Sequence, residues 1–198
     1  MNTLIVHPKD NSTTFLDIVY KDVPNQTLIT GGITKDELKG LIESHDRVMM
    51  MGHGSPGGLF SVGQFKGEAS RYSGYIIDEE MVDLLSKKDN SVFIWCNADR
   101  FVEHHGLKGF YSGMFISEVG EARYCSNQFA LNELFGIKLM TATQEEVDES
   151  NYGFVNIISK YINESTESIH EKVVKEYGVI AKNNAVAEYN NNRLYKFL

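Results

Sequence analysis

The stretch Val48-Met49-Met50-Met51-Gly52-His53-Gly54-Ser55-Pro56-Gly57-Gly58-Leu59-Phe60 is an apolar run that stops at a glycine-flanked histidine and opens into a loop too rich in glycine for a helix. Four consecutive apolar residues without alternation fit a strand buried on both faces, as in a parallel sheet covered by helices. The glycines that follow let the backbone turn sharply and approach a ligand closely. Ser91-Val92-Phe93-Ile94-Trp95-Cys96-Asn97 has the same grammar and ends in a cysteine. Two buried strands thus each deliver one reactive side chain, His53 and Cys96.

Outward from these strands the pattern alternates. Thr3 to Val6 reads as a first short strand closed by His7-Pro8, and Asp10 to Thr14 as a polar, cap-rich loop. Phe15, Leu16, Val19 and Tyr20 fall at helical spacing, so Thr14 to Asp22 is predicted as a short helix. Thr27 to Thr30 is a second strand, and Thr34 with Glu37 forms a capping box for a helix to about Ser44. Gly58 to Tyr75 reads as an irregular or hairpin-like insertion, and Asp78 as the cap of a helix through Met81, Val82, Leu84 and Leu85. Strand-helix-strand alternation is the mark of an α/β fold with a parallel sheet and right-handed crossovers.

Beyond Cys96, Asn97 to Gly109 reads as a loop or short helix and Gly113 to Ser117 as a fifth strand. Ser126 to Phe135 has helical spacing at Phe129, Leu131, Leu134 and Phe135, with Gly136 as the stop. Ile137 to Met140 fits either a strand or an extended connection. Asn151 to Tyr161 and Ser165 to Tyr177 are predicted helices, and Arg193 to Leu198 alternates like a final edge strand. No linker or repeat divides residues 1–198, which read as one domain.

A formal charge of -8 without a clustered Lys/Arg face argues against nucleic acid as a partner. The N-terminus carries no basic leader and no apolar run long enough for a membrane span, so no membrane association is expected. Only two cysteines occur, Cys96 and Cys125, which suits a reducing, cytoplasmic compartment better than a disulfide framework. Cys125 is read as structural.

In an open parallel sheet the C-terminal strand ends share one edge, where ligands bind. His53 and Cys96 belong at that edge, and adjacent strands lie about 4.8 Å apart. A thiolate is the nucleophilic form of cysteine, and imidazole, with an ordinary pKa of about 6.5, is the natural acceptor of its proton. The backbone N–H groups of Gly54 and Cys96 are candidates for an oxyanion hole, which points to acyl transfer.

At these residues the chain resembles the caspase, legumain, gingipain and clostripain peptidases and the caspase-like domains called CHAT: an apolar strand, His-Gly, a helix, then an apolar strand ending in Cys. The resemblance implies a three-layer α/β/α sandwich around a mostly parallel, caspase-like six-stranded sheet, with His53 as base and Cys96 as nucleophile. It implies a cysteine peptidase acting on a peptide or protein without a cofactor. The chain departs from the group at Trp95, where a small residue often precedes the nucleophile, and at Ile94, where Arg- or Lys-specific members carry an acid. Primary specificity therefore does not transfer.

Other readings stand beside this one. Trp95, Asp99 and Glu118 are candidates for the substrate pocket, the two acids as partners of a basic group or orienters of His53, although each acid equally suits a solvated loop. His7 either lines the same crevice or merely closes its strand. A phosphate cradle at Gly52 to Gly58 lacks the Lys-Ser/Thr that would follow it, and His53, Cys96, His104 and His105 lack the close spacing of a metal site. The main alternative to a peptidase is a non-catalytic, regulatory module of the same fold that binds a partner protein.

Overall fold

The computed structural model describes residues 1–67, 74–130 and 132–198. Strands β1 (Thr3–Val6), β2 (Gln26–Ile29) and β3 (Arg47–Met51) alternate with α1 (Asp17–Tyr20, entered through a 3₁₀ turn) and α2 (Lys35–Ser44). A small antiparallel sheet of β4 (Gly54–Ser55), β5 (Gly58–Phe60) and β6 (Tyr75–Ile77) follows, then α3 (Val82–Leu85), β7 (Ser91–Ile94), α4 (Ala98–His105) and β8 (Gly109–Ser112). The rest of the chain is helical: α5 (Val119–Ser126), α6 (Leu134–Met140), α7 (Gln144–Tyr161), α8 (Thr166–Ala181) and α9 (Ala185–Asn191), closing with β9 (Leu194–Phe197).

The main sheet has six strands in the order β2-β1-β3-β7-β8-β9, parallel except for the antiparallel edge strand β9. Helices cover both faces, which makes the fold a three-layer α/β/α sandwich. Alternation along each strand divides the side chains between two cores. Ile5, Met49, Met51, Val92, Ile94 and Phe110 face α7 and α8, where they meet Phe154, Ile158, Val173 and Tyr177. Leu4, Val6, Val48, Met50, Phe93, Trp95 and Tyr111 face α2 to α4, against Leu38, Ile42, Leu85 and Phe101. Because both faces are buried in the central strands β1, β3 and β7, their sequences run apolar without alternation. Each such side chain stabilises the fold by about 1.5–3 kcal/mol relative to exposure.

The Thr34/Glu37 capping box forms as expected, and Asp78 accepts from the Glu80 N–H at the start of its helical turn. Differences cluster after Cys96. The fifth strand is Gly109–Ser112, not Gly113 to Ser117. Phe115 and Ile116 are still buried, but the Ile116 amide and carbonyl are both taken by the Asn190 side chain, at 2.7 and 2.9 Å, so the segment needs no ladder. Val119–Ser126 is helical because Glu121 reaches back to the Ser117 and Glu118 N–H groups. Leu134–Met140 is a helix too, and Gly136 lies inside it: a Cβ there would stand 2.7 Å from the Phe129 Cβ, so this glycine serves packing rather than termination. Leu131, and the part of the predicted insertion within residues 68–73, lie outside the described residues.

Candidate active site

The strand order reverses between β1 and β3, since β1 carries β2 on one side and β3 on the other. Chain leaving the C-terminal ends of neighbouring strands diverges at such a point and leaves a crevice. The loop after β1, the Gly52-His53-Gly54 turn after β3 and Cys96 after β7 all meet there.

Gly52 holds the turn in place: its N–H donates to the Ile94 carbonyl at 3.0 Å, and its φ of +138° favours glycine. His53 then projects toward the β1 loop. Its Nε2 lies 3.1 Å from Asp10 Oδ2 and 2.9 Å from Ser12 Oγ. Asp10 is itself fixed, because its Oδ1 accepts from the Ser12 N–H, the Ser12 hydroxyl and the Thr13 N–H at 3.0, 2.8 and 3.2 Å. The His53 and Asp10 side chains are only 17% and 10% exposed, so water screens the contact weakly. With the Ser12 hydroxyl donating to Asp10, Nε2–H is the donor to Asp10.

The Cys96 side chain occupies a different setting. Its thiol donates to the Phe115 carbonyl at 3.4 Å and lies 3.8 Å from Glu121 Oε1. Those two groups, and not His53, are its hydrogen-bond partners. Cys96 keeps part of its surface, yet the protein surrounds the sulfur closely enough that burial pushes the thiol pKa well above its ordinary range. The charge of Glu121 adds to the rise. The thiol is therefore protonated in this conformation.

His53 and Cys96 nevertheless line one cavity, of about 20 Å³, together with Phe15, Trp95, Phe115 and Ser117. A cavity of that size holds about one water molecule. A larger cavity of about 410 Å³ adjoins it and shares the wall made by Phe15 and Ser117.

Gly54 opens the β4–β5 hairpin. The Phe60 N–H donates to the His53 carbonyl, which makes His53/Phe60 a hydrogen-bonded pair and Gly54/Leu59 the next, non-bonded one. The Gly54 N–H thus points away from β5. A side chain here is excluded, because a Cβ would come within 2.2 Å of the Trp95 ring. Trp95 is 1% exposed and its Nε1 donates to the Ser55 carbonyl at 3.1 Å, so its bulk supports the hairpin from below.

The remaining candidates divide. Glu118 stands at the N-terminus of α5 and lines the larger cavity. Asp99 lines neither cavity: it sits on α4 with Oδ1 buried and unpaired, and its charge acts on Tyr111 and Tyr195. His7 lies fully buried beneath Gly52, with Nδ1 3.1 Å from the Tyr20 hydroxyl, and burial lowers its pKa to about 4. Cys125 packs inside the apolar cluster of α5, α6 and α9. Among the described residues no cluster of three or more His, Cys, Asp or Glu could hold a metal ion. No helix described is long and apolar enough to cross a membrane.

Asp10, Ser12 and Glu121 do not stand out in the sequence. Asp10-x-Ser12-Thr13 carries the pattern of an Asx turn, but the histidine it holds lies two strands away in the chain. The chain matches no family model, no curated protein and no solved structure.

Proposed function

We propose that the chain is a cysteine-dependent hydrolase of amide bonds, most simply a peptidase, in which Asp10 orients His53 as base and Cys96 is the nucleophile. The observation that carries this reading is the shared cavity: His53 and Cys96, delivered by neighbouring strands, line the same space at the switch point, with His53 already held through Nε2. In the reaction the Cys96 thiol gives its proton to His53 Nδ1, and the thiolate attacks the substrate carbonyl carbon. The resulting oxyanion accepts hydrogen bonds from the Gly54 and Cys96 N–H groups. Collapse expels the amine, which takes the proton back from His53. Water then hydrolyses the thioester.

The caspase-like resemblance of the two strands supports the same assignment, and a reducing cytoplasmic setting would keep the thiol free. A peptidyl acyloxymethyl ketone is expected to alkylate Cys96, with labelling suppressed in His53→Ala and absent in Cys96→Ala. Preferential labelling of Cys125, or equal labelling without His53, sinks the hydrolase.

One observation favours the second reading, a binding module of similar fold without turnover. The thiol is capped by the Phe115 carbonyl, held in its protonated form, and faces a cavity the size of one water. A peptide-library assay separates the two. Cleavage lost in Cys96→Ala supports the enzyme, and a partner bound equally by wild type and Cys96→Ala, with no cleavage by either, supports the module.

A further inference from the structure

The carbonyl that caps the Cys96 thiol belongs to a peptide group with a second partner. Phe115 C=O, which accepts from the thiol at 3.4 Å, and Ile116 N–H, which donates to Asn190 Oδ1 at 2.7 Å, are the two ends of one peptide plane. In a trans peptide these groups point in opposite directions, so holding the N–H aims the carbonyl. Asn190 also donates from Nδ2 to the Ile116 carbonyl at 2.9 Å, so a single side chain on α9 grips both backbone groups of that residue.

The grip is itself supported. Asn190 is fully buried, and its Nδ2 also donates to Ser150 Oγ at 3.2 Å, which in turn bonds the Tyr177 hydroxyl at 2.6 Å. The next peptide is fixed by other hands: Ser117 N–H donates to Glu121 and the Ser117 carbonyl accepts from Asn151 Nδ2 at 2.9 Å. Phe115 packs on Phe154, while Ile116 faces the separate cluster that holds Cys125. Opposed changes in ψ of Phe115 and φ of Ile116 therefore swing the carbonyl off the sulfur while both side chains stay in their cores. The β-branched Ile116 resists positive φ, so the swing is partial.

We propose that Asn190 is a positioning residue for the nucleophile: by holding the Ile116 N–H it keeps the Phe115 carbonyl on the Cys96 thiol, and loosening its grip uncaps the sulfur. A carbonyl accepts from the thiol and can offer nothing to the thiolate, so its withdrawal favours the reactive form. The C-terminal helices thereby control a residue delivered by β7, through one amide. The place of this control in catalysis rests on the hydrolase reading; the link from Asn190 to the thiol rests on the hydrogen bonds themselves.

The test follows alkylation by iodoacetamide across pH, with Cys96 and Cys125 resolved by peptide mass spectrometry. Asn190→Leu keeps the bulk of the side chain and removes its hydrogen bonds, whereas Asn190→Asp keeps an acceptor for the Ile116 N–H. Asn190→Leu is expected to quicken Cys96 alkylation at pH 8 about tenfold and to lower the midpoint of its pH profile, with buried Cys125 unchanged. Asn190→Asp should stay near the wild-type profile. Ser150→Ala, which removes only the support behind the amide, should shift Cys96 the same way by less, and it decides the question if Asn190→Leu does not fold. An unchanged Cys96 profile in the deciding variant, an equal shift in Asn190→Asp, or Cys125 quickening in step with Cys96 overturns the proposal. Peptide cleavage by the same proteins separates it from the hydrolase. A lowered midpoint without cleavage by any of them keeps the role of Asn190 and counts against the hydrolase, and cleavage with an unmoved midpoint does the reverse.

Discussion

The ends of β3 and β7 are paired across one ladder, Met51 opposite Ile94, yet the two reactive side chains they deliver live in opposite environments. His53 is gripped by polar groups, with Asp10 Oδ2 and Ser12 Oγ both at its Nε2. Cys96 is surrounded by groups that hold its proton on: a backbone carbonyl, a carboxylate and low-polarity packing. Orientation and reactivity are thus built separately in this molecule. In the proposed hydrolase the base would be organised in advance, whereas the nucleophile would wait for something to change around it. In the hydrolase proposed above, a substrate seated against Phe15 and Ser117, the wall the two cavities share, would make that change.

The sharpest way to break this contrast is Asp10→Asn. An amide at position 10 still accepts through its oxygen but no longer stabilises an imidazolium, and its NH₂ can force the other tautomer. Hydrolysis is expected to fall by a factor on the order of 10² to 10⁴, with substrate affinity little changed. Steady-state kcat and KM decide it. A fall confined to KM would show that Asp10 serves the binding of substrate rather than His53.

A second buried titratable group lies on the same side. His7 is neutral in the fold, with its pKa lowered from 6.5 to about 4 by burial. The unfolded chain takes up this proton first as pH falls. Stability from His7 is therefore fully present above pH 6.5 and is lost progressively toward pH 4, by up to about 3 kcal/mol. Urea midpoints at pH 7, 6, 5 and 4.5 should show the decline in wild type and a flatter profile in His7→Asn. Parallel profiles would place the pH dependence in other groups. Asp17, whose pKa is lowered in the fold despite the opposing effect of its burial, contributes only at still lower pH.

What is legible in the chain and what is not follows from the range of the contacts involved. The strands and their faces are readable because Val48 to Met51 and Val92 to Trp95 are apolar throughout and end in turn-forming or polar residues, the pattern a strand covered on both faces requires. The capping box at Thr34 and Glu37 is local and equally plain. The region after Cys96 departs from its local pattern because its order depends on partners far along the chain. Asn190 substitutes for a ladder at Ile116, and Phe129 occupies the space a side chain at position 136 would need. The same holds within the candidate site. His53 and Cys96 announce themselves by chemistry at strand ends, while Asp10 and Glu121 matter only through contacts that chain order does not reveal.

Gly54→Ala probes the seam between the two environments. The new methyl would meet the Trp95 ring and the Gly58 carbonyl, so either the hairpin lifts or the indole shifts. Overpacking of this kind costs about 1–3 kcal/mol. Thermal unfolding should register that loss, and hydrolysis should fall as well because the Gly54 N–H moves with the hairpin. Trp95→Phe combined with Gly54→Ala is expected to recover stability by giving the methyl room. Activity restored along with stability would mean that the amide returns to its place.

The smallest effect belongs to Glu121, and it bears most directly on why the nucleophile is quiet. Burial is the leading cause of the raised thiol pKa, and the Glu121 charge comes second. Glu121→Gln removes the charge while its side-chain oxygen still accepts from the Ser117 N–H, so α5 keeps its start. The thiol pKa should drop without reaching the normal cysteine range, and alkylation by iodoacetamide at neutral pH should quicken about fivefold, since burial is untouched. The pH profile of alkylation separates this from simple loosening. A lower midpoint with the same plateau means that the carboxylate restrained the thiol, whereas a higher plateau at an unchanged midpoint means that the substitution merely opened a path to the sulfur.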